Sequence, residues 1–223
     1  MTKVIFIGGT GTDIGKTYVT CLLLRQLRTQ GFSARAIKPV ISGFDANDIA
    51  SSDSGQILMA MEQDLTLENI KRISPWRYKD PLPPHIAAAD AGEVISGDDL
   101  LDFCNSQAAE DLDYLLIEGV GGIMVPLNYN ETMLDILQRL GTPCLLVTGS
   151  YLGTISHTMT AISCLDQKNV PLAGLVISES FQNYINFDLI LGDFTKMLPN
   201  ILIKNIARND CSTDLTTLIK DGS

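Results

Sequence analysis

Residues 8–17, GGTGTDIGKT, constrain this chain more than any other stretch. They follow the apolar run Val4-Ile5-Phe6-Ile7 and precede a segment with helical apolar spacing. A glycine-rich turn between a strand and a helix, closed by Gly15-Lys16-Thr17, is the signature of a phosphate-binding loop. Glycines let the backbone curl so that several N–H groups point at one anion. The helix that starts near Gly15 adds its positive dipole end. Lys16 carries a charge toward the outer phosphates, and the Thr17 hydroxyl suits Mg²⁺. The common G-x-x-x-x-G-K spacing is one residue shorter than the spacing here, where five residues separate Gly9 and Gly15. A chance glycine-rich turn is the alternative, but it gives Lys16-Thr17 at a helix start no packing rationale.

The rest of the chain alternates apolar strands with helices. Val4–Ile7, Ser33–Lys38, Tyr114–Ile117, Cys144–Thr148, Leu172–Ile177 and Ile201–Ile206 read as strands. Helical spacing and end signals predict helices over 17–30, 54–62, 85–91, 96–109, 132–140, 154–168 and 186–198, with a short turn at 66–70 and a last helix in 213–220. Gly31 and Gly141 stand where helix-ending glycines belong. Residues 41–53 read as a polar loop. Residues 71–84, with Pro75, Pro81, Pro83 and Pro84, read as an irregular surface excursion. The pattern predicts an α/β fold: a doubly wound, mostly parallel sheet flanked by helices. No boundary divides it, so 1–223 is expected to be a single domain. Ligands of such sheets bind beyond the C-terminal strand ends. That makes 8–16, 38–53, 118–130, 148–154 and 178–186 the site loops.

Charge narrows the partners. Lysine and arginine total 16 against 26 acidic residues, a formal net charge of −10. Nucleic acid and anionic membrane surfaces are therefore excluded as general partners. An anionic ligand needs local cations, and Lys3, Lys16 and Lys38 are close to the loop in sequence. The five cysteines form no C-x-x-C pair and only two histidines are present. A reducing cytoplasm without disulfides or a Cys/His zinc site is expected. No signal peptide and no apolar run near the length of a membrane span is visible.

Other residues carry weaker signals. Glu118 ends a buried strand and precedes Gly119-Val120-Gly121-Gly122, a place where nucleotide hydrolases hold Mg²⁺. A surface strand end is the alternative. Lys38 either steadies a phosphoryl or carbonyl oxygen or is a solvated strand-end lysine. Ser42 lies in an ordinary Ile-Ser-Gly loop. Asp53 reads best as a helix cap. His85 reads as a structural or capping histidine, and His157 as a packed or polar-face residue.

Taken together, these residues resemble dethiobiotin synthetases, a family of P-loop NTPase type. The matching stretches are Gly9–Thr17 with its five-residue spacing, Lys38-Pro39-Val40 with Ser42-Gly43, Ser52-Asp53, Pro84-His85-Ile86, Glu118–Gly122, and Leu152–Ile155 with His157. The resemblance covers about residues 3 to 178. It implies a homodimeric ligase of biotin biosynthesis whose crevice is shared by two subunits. One amine of 7,8-diaminononanoate takes up CO₂ (supplied as bicarbonate) as a carbamate. The carbamate attacks the γ-phosphate of ATP, giving a carbamic-phosphoric anhydride. The second amine closes the ring and phosphate leaves.

The resemblance assigns Lys16, Lys38 and Thr12 to catalysis. It assigns Asp13, Ile14, Gly15, Lys16, Thr17, Tyr18, Asp53, Glu118, Gly119, Val120, Gly121, Ser178 and Glu179 to the nucleotide. Ser42, Gly153, Thr154 and Ser156 fall to the diamine, the last three from the second subunit. Thr17, Asp53 and Glu118 surround Mg²⁺. The chain departs from the family at Gly11 and Asp13, at Ser178-Glu179, at Ser156, and at Ile206–Asn209, which lacks a proline. Two other readings stay open: a partitioning-type ATPase that dimerises on ATP, and a non-catalytic nucleotide-binding domain. Gly9 and Thr10 stand where the first of these usually carries a second lysine.

Overall fold

The computed structural model describes residues 1–181 and 186–220. Strand β1 (Lys3–Gly9) runs through the glycine loop into helix α1 (Lys16–Thr29). Then come β2 (Ala34–Ile37) and β3 (Val40–Ser42), helices α2 (Asp53–Ala60) and α3 (Leu67–Ile73), and β4 (Trp76–Tyr78). Helices α4 (Pro84–Asp90) and α5 (Gly97–Ala108) lead to β5 (Tyr114–Glu118) and α6 (Met133–Leu140). The remainder is β6 (Cys144–Gly149), α7 (Thr154–Gln167), β7 (Leu172–Ser178), α8 (Phe187–Met197), β8 (Ile203–Ile206) and α9 (Thr217–Lys220). Residues 182–185 of the loop expected at 178–186 lie outside the described residues. No helix among those described is long and apolar enough to cross a membrane.

Six strands form one parallel sheet in the order β2-β5-β1-β6-β7-β8. Its central strands read as continuous apolar runs because both faces are covered. Ile5, Ile7, Leu115, Leu116, Leu145, Leu146 and Val147 are fully buried. β1, α1 and β2 form a βαβ unit whose two strands are not neighbours: β5 lies between them. The register then brings three strand ends together. Ile7 pairs with Glu118, and Ile37 pairs with Ile117. Lys38, one residue past β2, therefore reaches the end of β5, although the two are far apart in the chain.

Helix ends follow local chemistry. Thr132 and Asp135 cap each other's backbone at α6, and the Ser96 hydroxyl accepts from Asp99 N at α5. At α2 the cap is Ser52, whose Oγ accepts from Gly55 N at 3.0 Å. Asp53 is the first helical residue, so the expected capping role is corrected.

The loop and surface excursion expected at 41–53 and 71–84 also require correction. Val40–Ser42 and Trp76–Tyr78 pair in a second, two-stranded parallel sheet. Gly43 N donates to Asp80 O and Phe44 N to Tyr78 O. The short β-favouring triplets were masked by flanking prolines and polar residues. The pairing folds 81–84 back over Ser42. The expected last helix shortens to Thr217–Lys220.

Candidate active site at the phosphate loop

The glycine loop ends where α1 begins. Gly15 has φ 91°, and a Cβ there would lie 2.4 Å from Ser178 Oγ. Both the left-handed backbone and the close approach require glycine. Asp13 also adopts a left-handed conformation, φ 54°, which aspartate tolerates better than most residues. Ile14 turns into the core at 7% exposure, so only its backbone faces a ligand. Gly122 packs flat on the loop: a Cβ there would stand 3.3 Å from the carbonyl of Thr10. A hydroxyl chain braces the other side, with Thr10 Oγ1 3.0 Å from Thr148 Oγ1 and Thr148 2.9 Å from Thr154.

One cleft of about 600 Å³ lies beyond these strand ends. Thr12, Asp13, Gly15, Lys16, Thr17, Lys38, Ser42, Asp53, Val120 and Gly121 all line it. Its opposite wall is Pro81–Pro84 with Ile41 and Val125. Sequence reasoning missed that wall. The available signal was the run of prolines beside two short apolar triplets, which is the pattern of a strap tied by a small sheet.

Charge is concentrated at the cleft floor. Lys38 Nζ lies 2.6 Å from Glu118 Oε1 and 2.7 Å from Asp53 Oδ2. Thr17 donates to the same Glu118 oxygen at 2.7 Å. Burial would discharge Lys38, but the two carboxylates outweigh it and raise its pKa. Burial opposes ionisation of Asp53 as well, and Lys38 overrides it, so the Asp53 pKa is lowered. Lys16 donates to Gly11 O at 2.7 Å. Burial, then the Lys38 charge, lowers its pKa to about 8.

Two buried polar atoms here have no partner among the described residues: Glu118 Oε2 and Ser42 Oγ. Such atoms call for a ligand. Glu118, Asp53 and Thr17 offer hard oxygen donors, which fit Mg²⁺. Ser42 belongs to the lining of the same cleft.

The remaining expected residues lie elsewhere. Gly119 packs on Phe6, its would-be Cβ 2.8 Å from the ring, and is not in the cleft lining. The Tyr18 hydroxyl donates to Asp210 O at 2.6 Å. Glu179 accepts from Arg208 N at 2.8 Å, and Arg208 sits 4.8 Å over the Phe181 ring. Tyr18, Ser178 and Glu179 thus gather the 206–211 segment beside the loop. Gly153, Thr154 and Ser156 begin α7 and do not line the cleft of their own chain. The Thr154 hydroxyl is committed to Gly149 O at 2.5 Å, while Ser156 is exposed. His157, also exposed, meets the Tyr151 hydroxyl at 2.9 Å. Lys3 sits at the far end of β1, its Nζ on Lys220 O, and is no part of the site.

A family model described as an AAA domain matches residues 3–197. The ATP-dependent dethiobiotin synthetase of Caulobacter sp. (strain K31) is 48% identical over 177 residues, 79% of this chain and 76% of that one. The ATP-dependent dethiobiotin synthetase of Phenylobacterium zucineum (strain HLK1) is 45% identical over 176 residues, 78% of this chain and 75% of that one. The MinC:MinD cell division protein complex of Aquifex aeolicus has a TM-score of 0.57 at 16% identity, covering 92% of this chain and 81% of that one. That last likeness is one of fold alone.

Proposed function

Since the chain belongs to the ATP-dependent dethiobiotin synthetase family, we propose that this cleft closes the ureido ring of dethiobiotin. It carboxylates 7,8-diaminononanoate with CO₂, consumes ATP and releases ADP and phosphate, a ligase step of biotin biosynthesis. The observation that carries this reading is one cleft that holds Lys16, Lys38 and the unpartnered Ser42 Oγ together.

The residue chemistry suits the reaction. The reacting species are anions, and no enzyme nucleophile is needed. The loop amides, the α1 dipole and Lys16 hold the nucleotide phosphates. Lys38 and Lys16 steady the γ-phosphate and the carbonyl oxygens as charge develops there. Thr12, on the same rim, orients the reacting carbamate. Ser42 Oγ contacts the diamine, and the Pro81–Pro84 strap covers it from water. Thr17, Asp53 and Glu118 would hold Mg²⁺, which when bound neutralises phosphate charge. Tyr18, Ser178 and Glu179 shape the place of the base.

Gly153 and Ser156 act in the cleft of a second copy, with buried Thr154 fixing the turn that presents them, which makes the working unit a homodimer. All five cysteines are free thiols, and an ATP-consuming enzyme with free thiols suits the cytoplasm. The partitioning-type and non-catalytic readings have no observation of their own, because the MinD likeness extends only to the fold.

The test is phosphate release in the presence of the diamine, bicarbonate, Mg²⁺ and ATP, with each omitted in turn. Release that requires all four is expected. Release that ignores the diamine overturns the reading.

A further inference from the structure

Lys38 has two claims on it. The reaction wants its ammonium in the cleft, against the γ-phosphate and carbonyl oxygens. The structure instead holds it on the floor, 2.6 Å from Glu118 and 2.7 Å from Asp53. These are the two carboxylates that fit a divalent cation. Lys38 is 4% exposed and Glu118 1% exposed, so water screens little between them. An ammonium and a dication held against buried Glu118 and its more exposed neighbour Asp53 repel each other.

We infer that Lys38 is a resident counter-ion, displaced from Asp53 and Glu118 when a divalent cation arrives with the nucleotide and thereby released into the cleft. The inference rests on the proposed reading of the site, but its tests use neither the diamine nor turnover. Without the lysine, two acidic side chains would face each other across the floor, and the nucleotide-free protein would lose the group that pairs them. With the lysine in place, each carboxylate has a cationic contact at rest. The release then couples two events. The cation that brings ATP also frees the side chain that acts on it, so a nucleotide without its metal leaves Lys38 on the floor. Glu118 Oε2 has no partner among the described residues, so this carboxylate keeps one oxygen free of the lysine that Oε1 holds.

The first experiment is Mn²⁺ binding to nucleotide-free protein, read by electron paramagnetic resonance. Lys38→Met is expected to bind Mn²⁺ at least about tenfold more tightly than wild type, because the competing charge is gone. Equal or weaker binding overturns the inference, since it means the two cations sit side by side.

The second experiment uses wild type alone and so survives a variant that fails to fold. Lys38 amidination by methyl acetimidate is followed by mass spectrometry. It is expected to be slow with ADP and chelator, and several-fold faster with Mg·ADP. The same rate in both overturns the inference. Failure of diamine-dependent phosphate release would sink the functional reading while leaving both measurements interpretable.

Discussion

Ser178 stands directly over Gly15, so close that any side chain there would put its Cβ 2.4 Å from the serine oxygen. Gly15 also has φ 91°. Gly15→Ala therefore carries two separable penalties: about 1–2 kcal/mol for left-handed backbone and about 1–3 kcal/mol for overpacking. A double-mutant cycle with Ser178→Gly separates them. Urea unfolding should show the double variant recovering the packing part and not the backbone part. Strictly additive effects would remove the contact from the account.

Glu118 and Asp53 share one lysine but not one environment. Their side chains are 0% and 42% exposed. Glu118→Gln should destabilise the ligand-free protein by about 3 kcal/mol. Asp53→Asn, whose site is open to water, should cost about 1 kcal/mol. The Asp53 contribution has its own pH window. Its carboxyl titrates below the usual carboxylate range. The stabilisation is thus present above that range and lost as pH falls through the lowered value. Chemical denaturation between pH 7 and 3 measures both effects, and equal losses for the two variants would contradict the burial argument.

Lys16 behaves in the opposite sense. Its folded-state pKa is lowered to about 8, below the ordinary lysine value of about 10.4. Its charged form is disfavoured in the fold. The resulting penalty is complete below about pH 8 and is relieved as pH rises toward the unfolded value. Lys16→Met should therefore raise Tm of the ligand-free protein by a few degrees at pH 7, with the gain shrinking toward pH 10. Wild type should also take up a proton on binding ATP above pH 8, visible by calorimetry in two buffers of different ionisation enthalpy. A gap in Tm that widens with pH would refute the assignment.

Ser42 Oγ has no hydrogen-bond partner among the described residues. Ser42→Ala should leave Tm unchanged and raise the KM for the diamine by about tenfold to a hundredfold, the range for a lost hydrogen bond to a charged group. A fall in Tm with KM intact would make the hydroxyl structural.

Gly153 and Ser156 do not line the cleft of their own chain. A shared crevice predicts complementation between inactive variants. Lys38→Ala and Ser156→Trp, each inactive alone, should recover about a quarter of wild-type activity when mixed and re-equilibrated, because half the dimers then carry one intact site. No recovery from proteins shown to exchange subunits would place both residues in one chain.

The sequence revealed what is local. Lys16-Thr17 after a glycine turn, Thr132 before α6 and Gly141 after it depend on neighbours a few positions away, and all appear where periodicity and capping place them. The order of strands was not legible, because β5 enters between β1 and β2 through contacts such as Lys3 with Tyr114 and Ala34 with Tyr114, far apart in the chain. The small sheet of Val40–Ser42 with Trp76–Tyr78 was hidden for the same reason, and with it the Pro81–Pro84 wall. Asp53 shows the limit within the site. Next to Ser52 it looks like a cap, and only the arrival of Lys38 from another strand end gives its carboxylate a partner. Tyr18 and Asp210 meet by a route no spacing discloses.

The insertion of β5 has a consequence during synthesis. β1, α1 and β2 emerge first and could dock as a βαβ pair. In that early intermediate Lys38 has no Glu118 beside it, and Thr17 has no acceptor. The nucleotide site is completed only when residues 114–118 wedge between strands made long before. A nascent chain stalled before β5 would carry the whole glycine motif while lacking the carboxylate that anchors its floor.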